Sequence, residues 1–175
     1  MKYRALGLTV VLVAFAGAAL AQTQVSGTLK CGGSDDKGGV NHSVDVGDHP
    51  GHSVMLSKGT CTWTTPIVIA GVKAITQTGT STAEINGAKG EEQVYAFLNM
   101  ENGDKVFVRA QDTGTITEGG KVITYTGTFS FTGGTGKFKG LKGKGTYKGS
   151  GDPEGETTSK VEGEYTLPGA DNSGK

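Results

Sequence analysis

The 175-residue chain has two cysteines, three histidines, one tryptophan and no surplus of either charge, and each shortage narrows its function. The cysteines, Cys31 and Cys61, are not in a C-x-x-C spacing, so a dithiol redox catalyst is not indicated. No H-x-x-x-H pair is present to put two metal ligands on one helix face. Lysine plus arginine and aspartate plus glutamate each number 17, a balance that argues against binding nucleic acid by neutralising phosphates. Helix formers are sparse, and after Ala21 no apolar run is long enough to span a membrane as a helix. Glycine, threonine and valine are abundant instead, which makes the expected class all-β.

The first residues have their own pattern. Lys2 and Arg4 precede an uncharged apolar run, Ala5 to Ala21, which ends on the small residues Ala19-Leu20-Ala21. Basic start, short apolar middle and small-residue end are the parts of a secretory signal peptide. Residues 1–21 are therefore expected to be a signal and residues 22–175 a single domain, secreted or periplasmic and not embedded in a membrane. In such a compartment an even pair of cysteines reads as a disulfide, Cys31–Cys61.

The remaining chain is read as short strands separated by turns. Val122 to Lys148 is the clearest stretch. Tyr125, Gly127, Phe129 and Phe131 alternate with Thr124, Thr126, Thr128 and Ser130, the period-two pattern of a half-buried strand. Gly133-Gly134-Thr135-Gly136 reverses it, and the chain is expected to resume as strand at Lys137-Phe138-Lys139 and again at Thr146-Tyr147-Lys148. Asn86-Gly87 and Asn102-Gly103-Asp104 are further turn signals. Val94 to Leu98 is apolar on both faces, which suggests a covered or closed sheet. Val161, Gly163, Tyr165 and Leu167 form one face of a last strand. Eight to ten strands at this spacing suit a barrel, whose closure removes sheet edges.

The histidines are grouped. His42, His49 and His52 are interleaved with Asp45 and Asp48. Histidine with carboxylate can ligate a transition metal, share a proton, or only hydrogen-bond a turn. Asp48-His49-Pro50-Gly51-His52 reads as a turn, on which the two rings need not converge. The expectation is a ligand-contacting segment made of Asp48, His49 and His52, with His52 closest to a barrel mouth on the face of Val54 and Leu56. No metal and no cofactor is expected. The lysines Lys137, Lys139, Lys142, Lys144 and Lys148 read as a solvated outer face. A phosphate-cradling loop is unsupported, because Phe131 and Phe138 occupy positions that need Gly and Ser or Thr.

The phrase Gly133-Gly134-Thr135-Gly136-Lys137-Phe138, followed by a glycine-containing bend and another strand, resembles the allene oxide cyclase and dirigent barrel superfamily, and the chain as a whole its small secreted bacterial members of unassigned function. The resemblance implies a single antiparallel, roughly eight-stranded, calycin-like barrel with an apolar interior. Activities in that superfamily depend on cavity shape, and no catalytic position can be matched residue by residue. The expected function is an exported, non-catalytic barrel that binds a small apolar ligand or a surface partner. An isomerase or cyclase acting by confinement, and a structural envelope protein with a filled barrel, are the alternatives.

Overall fold

A computed structural model of the chain describes residues 22–32, 39–117, 122–151 and 156–168. The expected signal, residues 1–21, lies outside them. The threonine-, valine- and glycine-rich segments form ten antiparallel strands: β1 Thr23–Cys31, β2 Val40–Asp45, β3 His52–Thr65, β4 Val68–Ile69, β5 Val72–Asn86, β6 Lys89–Met100, β7 Lys105–Ile116, β8 Ile123–Gly134, β9 Lys142–Gly151 and β10 Thr157–Thr166. Eight of them close a barrel in the order β1-β3-β5-β6-β7-β8-β9-β10, with β10 returning to β1. Strand β2 extends the sheet beyond the end of β1, along the first half of β3, and β4 is a two-residue ribbon on β5.

The alternation read in the central stretch holds. Phe129 and Phe131 are buried, Tyr125 is half-buried, and the threonines between them are exposed. Val161 and Tyr165 are buried in β10, with Leu167 packed against the same core. Strand pairing stacks the inward residues in layers. One runs Gly79, Ala96, Val108, Phe131, Gly143 and Tyr165, and the next Ser81, Val94, Ala110, Phe129, Gly145 and Gly163. The rings pack over the glycines: a Cβ on Gly145 would run into the Phe129 ring and the Glu162 carbonyl. Glycine in this sector is the space that the aromatic rings occupy.

One end of the barrel is sealed. Ile67, Ile69 of β4 and Val72 at the start of β5, with Phe138 and Leu141, are almost wholly removed from solvent. The ribbon turns at Ala70-Gly71, both with positive φ, and the Ala70 N–H donates to the Tyr165 hydroxyl at 2.8 Å. At the other end the inward residues Met55, Ala83, Ile85, Ile116 and Ile123 are only half-buried. Cβ atoms built on Gly90 and Gly114 there would meet nothing closer than 3.6 Å. The interior is closed by apolar side chains at the sealed end, while the inward residues at the other end are less covered.

Two expectations are corrected. Lys137-Phe138-Lys139 does not resume as strand; Gly136–Phe138 is a single 3-10 turn that drops Phe138 into the core, because positive φ at Gly136 and Gly140 curls the chain. In β3 the face carrying Val54 and Leu56 points outward, 46% and 48% exposed, while Met55, Cys61 and Trp63 face in. Cys31 and Cys61 sit directly opposite one another on β1 and β3 and are disulfide-bonded, with Cα atoms 4.2 Å apart.

Candidate functional site

Two groups of polar side chains stand out, one on the barrel's rim and one inside it. The rim group is built by the turn between β2 and β3. Pro50 fixes its own φ, and Gly51 takes φ +80°, a value costly for any side chain. The Val46 N–H donates to the His52 carbonyl at 3.0 Å, and the Gly87 N–H of the β5–β6 turn donates to the Gly51 carbonyl at 2.9 Å. His52 Nδ1 lies 2.7 and 2.9 Å from the two Asp48 carboxylate oxygens, and Nε2 lies 3.1 Å from Glu84 Oε1. The His49 ring stacks on His52, centroids 5.0 Å apart and planes within 15°.

Both ring nitrogens of His52 thus face acceptors, which favours the doubly protonated ring. Its pKa is raised, first by the Asp48 hydrogen bond and then by Glu84, while the His52 hydrogen bond lowers that of Asp48. The turn does bring Asp48, His49 and His52 together. It points them away from the barrel interior: His52 shares the outward face of β3, so it reaches Glu84 on the outer side of β5 rather than lining the mouth. His42 and Asp45 lie on the exposed β2 and take no part in this cluster.

The interior group was not singled out in the sequence. Below the less covered end, one layer runs Ala83, Glu92, Asp112, Gly127, Tyr147 and Val161. Glu92 and Asp112 are directly opposite on β6 and β7, so two carboxylates share the inner wall. Tyr147 reaches across Gly127 and donates its hydroxyl to Asp112 Oδ2 at 2.6 Å. Ser81 hydrogen-bonds Glu92. In the rim layer above, the Tyr125 hydroxyl and Ser159 Oγ are 2.7 Å apart. Trp63, deep in the apolar half, has its indole Nε1 buried without a partner among the described residues.

Burial pushes the Glu92 carboxyl up, with the Asp112 charge adding to it and Ser81 opposing. Burial likewise raises Asp112, against the Tyr147 hydrogen bond, and the Tyr147 phenol is raised by burial and then by Asp112. The one available signal in the sequence was register: Glu92 keeps step with Val94, Ala96 and Leu98, and Asp112 with Val106, Val108 and Ala110.

A stability consequence follows from Glu92. Its folded pKa lies above the unfolded value near 4.5, so the folded state binds the proton more tightly. Its contribution is most favourable below the unfolded value and is lost as pH rises through the raised folded one. Glu92→Gln should therefore melt higher than the parent at pH 8, with the advantage disappearing by about pH 4. Thermal melts across that range check it; parallel curves for the two proteins would contradict the burial of this carboxyl.

A concavity of about 540 Å³ is lined by Glu84, Glu91 and Gln111 together with Glu92, Asp112 and Gly127 of the inner layer, and one of about 420 Å³ by residues that include Thr128, Tyr147 and Glu162.

No family model matches the chain, and no curated protein matches its sequence. Among solved structures, a pterocarpan synthase dirigent protein superposes with a TM-score of 0.50 at 15% identity, over 84% of this chain and 96% of that one. The chain has a dirigent-type barrel fold. At that identity the likeness extends to the fold alone, and the interior carboxylates of this dirigent-type barrel are described from its own residues.

Proposed function

We propose that this dirigent-type barrel is an exported, non-catalytic binding protein that admits a small, mainly apolar molecule at its less covered end. The observation that carries the reading is the Glu92–Asp112 pair, one layer below a rim of Ile85, Gly90, Gly114 and Tyr125. Two neighbouring carboxylates on an inner wall are costly to bury, and a purely structural filling would be expected to be apolar. A ligand with an apolar body and a hydrogen-bond donor or amine would suit both rim and floor. Export is supported by the signal-like start and is consistent with the disulfide.

A second reading, an isomerase or cyclase acting by confinement, is favoured by the raised Glu92 carboxyl, which could hold a proton for transfer. Native mass spectrometry of protein purified from its own host separates the two. A retained small molecule, released unchanged on denaturation and taken up again on mixing, is the expected result. Conversion of the released molecule to an isomer on re-incubation would favour the enzyme, and no adduct in any preparation would count against both.

A further inference from the structure

The rim turn is independent of the interior site, and its geometry resembles a metal centre more than its sequence suggests. Asp48, His49 and His52 can each offer one ligand atom, all within 4.8 Å of one another. Two ligands about 2.1 Å from one zinc ion are separated by about 3.4 Å in a tetrahedral site, so the most distant pair has to draw in by at most about 1.4 Å. His52 Nδ1 and Asp48 Oδ1 lie 2.7 Å apart, a hydrogen-bond distance, and have to part by about 0.7 Å to share an ion. His49, whose side chain is 45% exposed and stands 3.8 Å from Asp48 Oδ2, has to move as well. Its ring has to turn out of the stack on His52 so that its lone pair lies in the plane of the ion.

A second observation points the same way. Histidines that ligate metals commonly donate their other ring N–H to a carboxylate, which fixes tautomer and orientation. Here Nδ1 of His52 faces Asp48 while Nε2, on the far side of the ring, faces Glu84 at 3.1 Å. Glu84 belongs to β5 and is held in register with Val54, so the ring is braced from a different strand than the one that carries it. The turn is tied at both ends, through Val46 to His52 and Gly51 to Gly87, so the ligands are positioned before any ion arrives.

We propose that Asp48, His49 and His52 form a binding site for a divalent transition ion of the zinc class, with Glu84 orienting His52 and the remaining coordination position open to water. Mixed imidazole and carboxylate donors suit zinc better than calcium or magnesium, which prefer oxygen alone. On loading, the proton between His52 Nδ1 and Asp48 leaves to solvent and the ion takes its place. Sequence spacing argued against an ion because a turn need not converge its histidines; this turn converges them with an aspartate.

The test is isothermal titration of the untagged protein with zinc chloride at neutral pH, with the parent and His49→Ala, Asp48→Asn and Glu84→Gln variants. The expected result is one ion per chain with micromolar or tighter affinity, weakened at least about tenfold in His49→Ala and Asp48→Asn and by about 10-fold or more in Glu84→Gln. His49 is exposed, so its variant keeps the fold, and unchanged melting in the absence of zinc verifies that. No saturable binding up to millimolar zinc, or binding untouched by His49→Ala and Asp48→Asn, would overturn the site.

Discussion

Replacing Phe129 by alanine should destabilise the protein by about 3–5 kcal/mol. The ring is 7% exposed and meets Phe131 edge to face, with centroids 5.1 Å apart. It also fills the space above Gly145 and Gly163, where an added Cβ would strike it. With glycines on two neighbouring strands there are no side chains nearby to collapse into the gap, so the cost belongs at the upper part of that range. For a domain of this size, the melting midpoint should fall by roughly 10 °C or more. Phe131→Ala, in the adjoining layer, should behave similarly. A midpoint that barely moves in either variant would mean that the register of β8 is wrong.

Breaking the disulfide should come next in size. Cys31 and Cys61 close a loop of sequence separation 30, for which loss of the crosslink costs about 3–4 kcal/mol on the chain-entropy account. The loop contains β2 and the Asp48–His52 turn, neither of which has much burial of its own: every residue of β2 is exposed. The double variant Cys31→Ser, Cys61→Ser should unfold at lower denaturant with the barrel otherwise intact, and hydrogen exchange should rise first in β2 and the rim turn. Equal stability of oxidised and reduced parent protein would contradict a structural role for the bridge.

Much of the architecture could be read before the coordinates because its causes are local. Alternation of rings with threonines in β8 shows a half-buried strand wherever it is placed, and Asn86-Gly87 marks a hairpin by its backbone chemistry alone. Period two identifies two faces but does not say which is inside when both are apolar. In β3, Val54 and Leu56 compete with Met55 and Trp63, and the disulfide at Cys61 and the tryptophan settle the matter by facing the core. In β6 the outer face carries Tyr95 and Phe97. Tyr95 is 57% exposed, and the two rings are covered by the cations of Arg109 and Lys105 rather than by another layer. The barrel was correctly expected, though this strand's outer face is not buried as its composition suggested.

The candidate sites were legible to different degrees. Asp48, His49 and His52 were visible by residue type, but their direction depends on the parity of β3, which turns His52 toward Glu84. Glu92 and Asp112 were hidden because a charged residue in a strand reads as solvent-facing. Only their register with buried neighbours on β6 and β7, and the pairing of those strands, puts them side by side within the barrel.

The central claim, an interior that admits a small molecule from one end, is tested most directly by fluorescence titration with N-phenyl-1-naphthylamine, an apolar probe carrying one N–H donor. The parent protein should give a saturable, one-to-one rise in emission. Gly114→Leu should abolish it, since a Cβ fits at that rim position at 3.6 Å and the larger side chain would fill the mouth between Ile85 and Tyr125. A variant that folds and melts like the parent yet binds the probe unchanged, or a parent that never saturates, would contradict the claim.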